Sequence, residues 1–178
     1  MSLKKGKPGT YTFGELDHAQ YTGEITYTDV DSSKGYWMFH PTGYSIAGKA
    51  GSANSTAMTA IVDTGTTVMM VDNAVARDYW SKVPSAGYSA LFGGYDFSCS
   101  EKLPDFSINI NGYSATVPGS YFIIGKIFAG DGPNICLGGL QPRGDVQFDV
   151  YGDVFLKSQF VVFDQTQAIP RLGFASQA

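Results

Sequence analysis

Short runs in which apolar and polar residues alternate recur along the 178-residue chain and predict β-strands. The clearest run covers residues 106–110, where every second residue is apolar, as in a half-buried strand. Asn111-Gly112 and Gly93-Gly94 are typical of the turns that join such strands. The remaining runs predict strands at residues 11–13, 23–30, 35–40, 59–62, 115–117, 121–124, 147–150, 160–163 and 172–175.

One segment has the spacing of a helix instead of a strand. Apolar residues recur every fourth position from Val75 to Val83, and Asp72 or Asn73 is placed to cap the first turn. A second, short helix is predicted over residues 154–158. The pattern as a whole therefore predicts a mostly-β domain with one main short helix.

Composition agrees with a single folded β domain. Hydrophobic residues make up 43% of the chain and charged residues 16%, below the ~25% charge of an average soluble domain, which is too apolar a mix for a disordered chain. Twenty-two glycines, eight prolines and 14% aromatic residues suit a fold with many turns and strands. No apolar run approaches the ~18 residues of a membrane-spanning helix, so no membrane association is expected.

The charge distribution argues against nucleic acid as a partner. The net charge is −4, and three lysines, Lys4, Lys5 and Lys7, lie among the first seven residues, so the rest of the chain is more acidic still. Such a body would repel phosphate backbones. The two histidines, His18 and His40, have no ligand-like spacing and no partner cysteines, so neither a metal site nor another cofactor is expected.

The cysteines leave the cellular compartment open. Cys99 and Cys136 would be two buried thiols in a cytosolic protein or one disulfide in a secreted protein. Asn54 opens an Asn-Ser-Thr glycosylation sequon, which also favours export. The start of the chain has no apolar signal-peptide core, so we expect a trimmed precursor or an internal start. Met1 and Ser2 are interpreted as a vector-derived start, with the domain itself spanning residues 3–178.

The strongest chemical signal is a carboxylate between two apolar runs. Asp63 follows residues 60–62 and precedes residues 68–71, so both flanks are expected to be buried. Because a buried ionised carboxylate needs hydrogen-bond donors, Thr66 and the backbone around Gly65 are its expected partners. Gly65 also permits a tight turn that a Cβ would obstruct. This arrangement is typical of a polar loop that holds a functional acid.

Several longer motifs extend this signal along the chain. They lie at residues 3–11 (LKKGKPGTY), 30–37 (VDSSKGYW), 61–67 (IVDTGTT), 103–108 (LPDFSI), 151–158 (YGDVFLKS) and 172–175 (LGFA). Together they resemble the carboxy-terminal lobe of the fungal pepsin-like aspartic endopeptidases, the group of penicillopepsin, endothiapepsin and aspergillopepsin. The resemblance covers the chain from about Leu3 to Ala178.

The resemblance implies a fold and a set of roles. It implies one lobe of the pepsin-like fold, a closed or partly open β-barrel with a crossed active-site loop, in a secreted protease that works at acid pH without a cofactor. Asp63 would be the catalytic residue, and Cys99 and Cys136 would form the disulfide of the lobe. The residues implied to support the active site are Thr64, Gly65 and Thr66, and those implied to bind substrate are Thr67, Ile61, Phe148 and Val150.

The resemblance also implies that half of the catalyst is absent. These enzymes use two aspartates that share one proton, and this chain carries one Asp-Thr-Gly motif. The expected partners are therefore the amino-terminal lobe of the same protease or a second copy of this chain, together with a peptide substrate or a pepstatin-like inhibitor. The lobe alone is expected to be inactive or weakly active.

Two alternatives remain at this point. Two copies could form a homodimeric protease of the retroviral type, each providing one Asp-Thr-Gly motif. The chain could instead be a non-catalytic secreted β domain. Such a domain could be a pepsin-like protein that has become an inhibitor or receptor, or one that binds sugars through aromatic rings. The candidate rings are Tyr36, Trp37, Trp80 and Tyr113, for which packing in the core is the favoured interpretation.

Overall fold

The computed structural model describes residues 1–51, 58–128 and 132–178. Helix α1 spans Asn73–Trp80 and helix α2 spans Asp153–Leu156, and single 3-10 turns lie at His18–Gln20 and Gly119–Phe122. All other regular structure of the described residues is β-strand. The strands are β1 (Ser2–Lys4), β2 (Lys7–Thr10), β3 (Tyr21–Asp29), β4 (Met38–Phe39), β5 (Gly43–Ile46), β6 (Lys49–Ala50), β7 (Ala60–Val62), β8 (Met69–Val71), β9 (Gly87–Ser89), β10 (Gly94–Ser98), β11 (Phe106–Ile110), β12 (Tyr113–Val117), β13 (Ile123–Lys126), β14 (Ile135–Gly138), β15 (Leu140–Pro142), β16 (Asp149–Tyr151), β17 (Gln159–Asp164) and β18 (Arg171–Gln177).

The sheet that carries Asp63 has the strand order β15-β8-β16-β7-β4. Strand β16 lies between β7 and β8, parallel to the first and antiparallel to the second, so that Val150 faces Ile61 on one side and Met70 on the other. The chain between β7 and β8 contains Asp63 and must therefore pass over the end of β16. This topology brings residues 61–67 and 149–153 together although more than 80 positions separate them in sequence.

A second five-stranded sheet joins the two ends of the chain, with the order β2-β1-β17-β18-β3. Strand β18 is paired along its length with β17 on one side and with β3 on the other. Ser2 pairs with Phe160, and the amino group of Met1 donates a hydrogen bond to the carbonyl of Val161 at 2.8 Å. The first two residues are thus in contact with strand β17.

The two remaining sheets have the strand orders β13-β14-β10-β9 and β12-β11-β5-β6, and the main core contains buried residues of all four sheets and of α1. Tyr79 and Trp80 of α1 are buried there among aromatic rings, and the Trp80 indole donates a hydrogen bond to the carbonyl of Leu140 at 2.8 Å. Burying such large side chains stabilises the fold by roughly 1.5–3 kcal/mol each. The buried rings thereby anchor β15, an edge strand of the Asp63 sheet.

Most of the predicted elements are found, and the chain is mostly β, as predicted. The predicted strand 106–110 is β11, and the predicted helix is α1, whose first turn Asp72 caps by accepting a hydrogen bond from the amide of Ala74 at 2.8 Å. Four strand predictions are wrong in whole or in part. Residues 11–13 form no strand, and the side chains of Tyr11 and Phe13 are exposed. The run 35–40 shrinks to β4 because the chain turns at Gly35. In the runs 121–124 and 147–150 only the second half is strand, because residues 121–122 lie in a 3-10 turn and β16 begins at residue 149.

Candidate active site

Both carboxylate oxygens of Asp63 are held by donors from its own loop. The amide of Gly65 donates to Oδ1 at 2.9 Å, and the hydroxyl of Thr66 donates to Oδ2 at 2.6 Å. The side chain is half-buried, while Thr64 and Gly65 beside it are exposed. The two donors fix the plane of the carboxylate, which stays partly accessible to solvent.

The loop is in turn supported by strand β16 and the helix that follows it. The amide of Asp63 donates to the carbonyl of Tyr151 at 3.1 Å, and the amide of Asp153 donates to the carbonyl of Thr66 at 2.7 Å. Gly152 lies between these two bonds, and a Cβ there would lie 2.2 Å from the Thr66 oxygen. The close approach of the two backbones therefore requires glycine at this position.

A cleft of about 350 Å³ opens beside Asp63. Three of its lining residues are aromatic, and Trp37 packs edge-on against Phe163 with ring centroids 5.0 Å apart. A carboxylate in the wall of a cleft that presents both polar and apolar surface suits a site that binds a partly apolar ligand. The residues around the cleft are Gly35, Tyr36, Trp37, Ile61, Val62, Asp63, Thr64 and Phe163.

A small apolar cluster lies on the same sheet, separate from the main core. Ile61 and Val150 are buried in it with Met38, and Met70 and Phe148 pack against them. The ring of Tyr36, which is 46% exposed, lies 5.5 Å from that of Phe148. Three of the four residues predicted to bind substrate are thus neighbours in the structure, and Tyr36 links them to the cleft.

The other predicted site residues are dispersed. Thr67 has an exposed side chain, and its carbonyl accepts a hydrogen bond from the amide of Val154 at 3.1 Å. The predicted disulfide between Cys99 and Cys136 is confirmed, and it joins the residue that follows β10 to the neighbouring strand β14 of a different sheet. Asn54 lies outside the described residues. The roles of Asp63 and its neighbours in catalysis and binding stay predictions.

Sequence reasoning missed part of this site. Phe163 lines the cleft, although the sequence predicted only a strand over residues 160–163 and no site residue there. The core interpretation is right for Trp80, which is 2% exposed, and right in part for Trp37 and Tyr113, which are half-buried and pack against the main core. It is wrong for Tyr36, which is exposed in the bend before β4 and lines the cleft with Trp37. The signal was available in the pair of adjacent large aromatics that follows a glycine turn.

No group of three or more His, Cys, Asp or Glu side chains suited to a metal ion occurs in residues 1–51, 58–128 and 132–178. Within the same ranges, the helices are too short to cross a membrane.

Comparison with known proteins gives one family over the whole chain. Residues 1–177 match the family described as eukaryotic aspartyl protease. The chain is 48% identical to aspergillopepsin-1 of Aspergillus fumigatus over 178 residues, which are all of this chain and 44% of that protein. It is 47% identical to penicillopepsin-1 of Penicillium janthinellum, of which it covers 52%, and 47% identical to aspergillopepsin-1 of Emericella nidulans, of which it covers 42%. The chain spans about half the length of these relatives.

Proposed function

Because the chain belongs to the eukaryotic aspartyl protease family, we propose that it acts as the carboxy-terminal catalytic lobe of a secreted aspartic endopeptidase. The observation that carries the proposal is the Asp63 carboxylate, which is held by the Gly65 amide and the Thr66 hydroxyl and lines a cleft with three aromatic side chains. The whole chain matches about half of the length of its protease relatives, and this coverage supports the assignment as one lobe.

The chemistry requires a second carboxylate. Two carboxylates held close together share one proton, because they cannot both ionise cheaply, and aspartic proteases are the standard example of this arrangement. One group then takes a proton from the attacking water while the other donates a proton to the peptide carbonyl. Asp63 supplies one of the two groups. The Gly65 and Thr66 donors keep its oxygens in place, so that the water and the second carboxylate meet a fixed geometry.

The proposed substrate is an extended peptide with an apolar side chain next to the scissile bond. The cleft beside Asp63 presents Tyr36, Trp37 and Phe163, and Ile61 connects it to the cluster of Val150 and Phe148. Burial of an apolar side chain against such walls contributes ~25 cal/mol per Å². Thr67, whose side chain is exposed next to the Asp63 loop, is proposed to contact the peptide backbone.

The proposed partner is the amino-terminal lobe of the same protease. Apolar side chains are exposed just beyond the edge strand β2, including Phe13 at 88% and Tyr11 at 55% of their surface. Strand β2 is itself exposed throughout. An exposed strand edge with adjacent apolar side chains invites pairing with another chain or lobe. The same surface suits a second copy of this chain, which keeps a homodimeric protease as the second candidate.

The test compares the lobe alone with the lobe mixed with the amino-terminal lobe of a close relative. Cleavage of a denatured protein is followed at pH 3 to 6, with and without pepstatin, and the molar mass in solution is measured on the same samples. We expect hydrolysis only in the mixture, abolished by Asp63→Asn, with Asp145→Asn as the control substitution at an exposed position.

Each other outcome has a definite meaning. Pepstatin-sensitive cleavage by a dimer of this chain alone would establish the homodimeric protease in place of the two-lobed enzyme. Turnover that survives Asp63→Asn would place the chemistry at another residue and overturn the proposal. A folded mixture that binds sugars and cleaves nothing would favour the binding domain.

A further inference from the structure

One arginine bridges two carboxylates next to the sheet that carries Asp63. Nη1 of Arg143 lies 2.9 Å from Oδ1 of Asp149, and its Nη2 lies 3.0 Å from Oδ2 of Asp72. The Asp149 side chain is 1% exposed, whereas that of Asp72 is 45% exposed. Fully buried aspartates are rare, and they persist only where a partner compensates the charge or where the carboxyl is neutral.

This bridge connects the elements that support the Asp63 loop. Asp149 begins strand β16, two residues before Tyr151, whose carbonyl accepts the amide of Asp63 at 3.1 Å. Asp72 follows β8 and caps α1 through the amide of Ala74. The backbone amide of Arg143 donates to the carbonyl of Val71 at 2.8 Å. The guanidinium therefore links the strand beneath the loop to the end of β8 and to the start of the helix.

We propose that Arg143 and Asp149 are positioning residues for the Asp63 loop: their bridge holds β16 next to the end of β8, and so holds the acceptor of the Asp63 amide in place. Because Asp149 is buried, ionisation of its carboxyl changes the charge balance of the bridge, and the bond from the Asp63 amide to Tyr151 on the same strand responds. The inference concerns the fold around Asp63 and holds whether or not the lobe hydrolyses peptides.

The groups around Asp149 determine the pH range in which its carboxyl ionises. The charged and titratable groups that face it are Arg143 from the loop after β15, Asp72 from the end of β8, and Tyr151 on its own strand. Burial raises the pKa of Asp149 to about 7, although the Arg143 guanidinium opposes the shift. Burial also raises the pKa of the Tyr151 hydroxyl, and the nearby Asp149 adds to that effect. Tyr151 therefore stays neutral as Asp149 ionises.

The sign of the effect on stability follows from linkage. In the unfolded chain an aspartate ionises near pH ~3.9, well below the value in the fold. Between that pH and about 7 the unfolded state releases its proton first, so the folded state loses stability as the pH rises through this window. Below the window both states are protonated and the contribution of Asp149 is constant.

The experiment is a nuclear magnetic resonance titration of the whole chain from pH 4 to 8. The side-chain carboxyl carbon of Asp149 should titrate with a midpoint near 7. The amide signal of Asp63 should show a step with the same midpoint, because its acceptor lies on the strand that Asp149 holds. In parallel, the equilibrium constant for unfolding should rise at least tenfold between pH 5 and 7.5.

Three variants isolate the pair. Asp149→Asn should abolish both the Asp63 step and the rise in unfolding. Arg143→Met removes the compensating cation, so its cost in stability should be larger at pH 7.5 than at pH 5. The double variant should behave as Asp149→Asn alone, since the coupling requires a titrating carboxyl. The matched control is Asp164→Asn, which removes another Arg–Asp pair, Arg171 with Asp164 at 2.6 Å, and should leave the step unchanged.

Three results would overturn the inference. One is an Asp149 that titrates below pH 5, as an ordinary ion-paired carboxylate would. Another is an Asp149 that titrates near 7 while the Asp63 amide does not respond, since the pair would then be structural only. The third is a step that persists in Asp149→Asn. If Arg143→Met does not fold, Arg143→Lys tests the two-sided contact instead, because it keeps the charge and cannot bridge both carboxylates, and the Asp63 step should then shrink.

Discussion

The α-carbon of Gly152 faces the backbone of Thr66 so closely that an added Cβ would lie 2.2 Å from the Thr66 carbonyl oxygen and 2.5 Å from that of Val68. Strand β16 can end against the Asp63 loop only because this side chain is absent. The loop that holds Asp63 is thus shaped by two parts of the chain, its own motif and the strand that passes beneath it.

Replacing this glycine should displace the loop. Gly152→Ala pushes a methyl group into two backbone carbonyls, which cannot move as a flexible side chain could, so we expect a loss of about 3 kcal/mol in the free energy of unfolding. Urea denaturation at pH 5 measures it. The control is Gly87→Ala on exposed strand β9, where a Cβ meets nothing within 4 Å, and it should change stability by less than ~0.5 kcal/mol. Equal effects of the two substitutions would contradict the close approach.

The Thr66 hydroxyl should matter for catalysis more than for stability. It donates to Oδ2 of Asp63 at 2.6 Å, and a hydrogen bond to a charged group contributes roughly 1.5–3 kcal/mol. Thr66→Val keeps the shape of the side chain and removes the donor. In the lobe assembled with an amino-terminal lobe, the rate of peptide hydrolysis should fall roughly tenfold to a hundredfold. Thr66→Ser retains the hydroxyl and should stay within about threefold of the parent, so a similar loss in both variants would exclude this role.

The disulfide should account for a large share of the stability of the lobe. Cys99 and Cys136 close a loop of 37 residues, for which the chain-entropy model gives about 4 kcal/mol. Thiol labelling followed by mass spectrometry should find neither cysteine reactive before reduction. The double substitution Cys99→Ser and Cys136→Ser should lower the urea midpoint strongly, and reductant should then have no further effect. Free thiols in protein prepared without reductant would refute the bridge.

The ionised Asp164 carboxylate should stabilise the lobe, and this contribution should be lost in strong acid. The hydroxyl and amide of Thr166 and the guanidinium of Arg171 hydrogen-bond its carboxylate, and these bonds lower its pKa to about 2. The stability that they contribute is therefore complete above the pKa of an unfolded aspartate, ~3.9, and is lost as the pH falls through 2. The difference in urea midpoint between the parent and Asp164→Asn should be full at pH 5 and should shrink between pH 4 and 2. A constant difference over this range would show that the ionised form is not favoured.

The amino-acid sequence by itself determined the local elements of this protein. The alternation of apolar and polar residues predicted β11, and apolar residues at every fourth position, together with the cap at Asp72, predicted α1. The donors of the Asp63 carboxylate could be predicted from the motif, because Gly65 and Thr66 lie within three residues of Asp63. Interactions over such short separations depend on backbone geometry and residue type alone. The same reasoning failed where apolar residues turned out to be exposed, as at Tyr11 and Phe13.

Only the tertiary structure decided how these elements combine around Asp63. The insertion of β16 between β7 and β8 places Gly152 against Thr66, brings Phe148 and Val150 to Ile61, and sets Asp149 on Arg143. The cleft likewise unites Tyr36 with Phe163, which lies on the opposite end of the chain. These contacts depend on strand order and register, which no local pattern encodes, because a strand's own residues specify which face is buried and not which strand lies beside it.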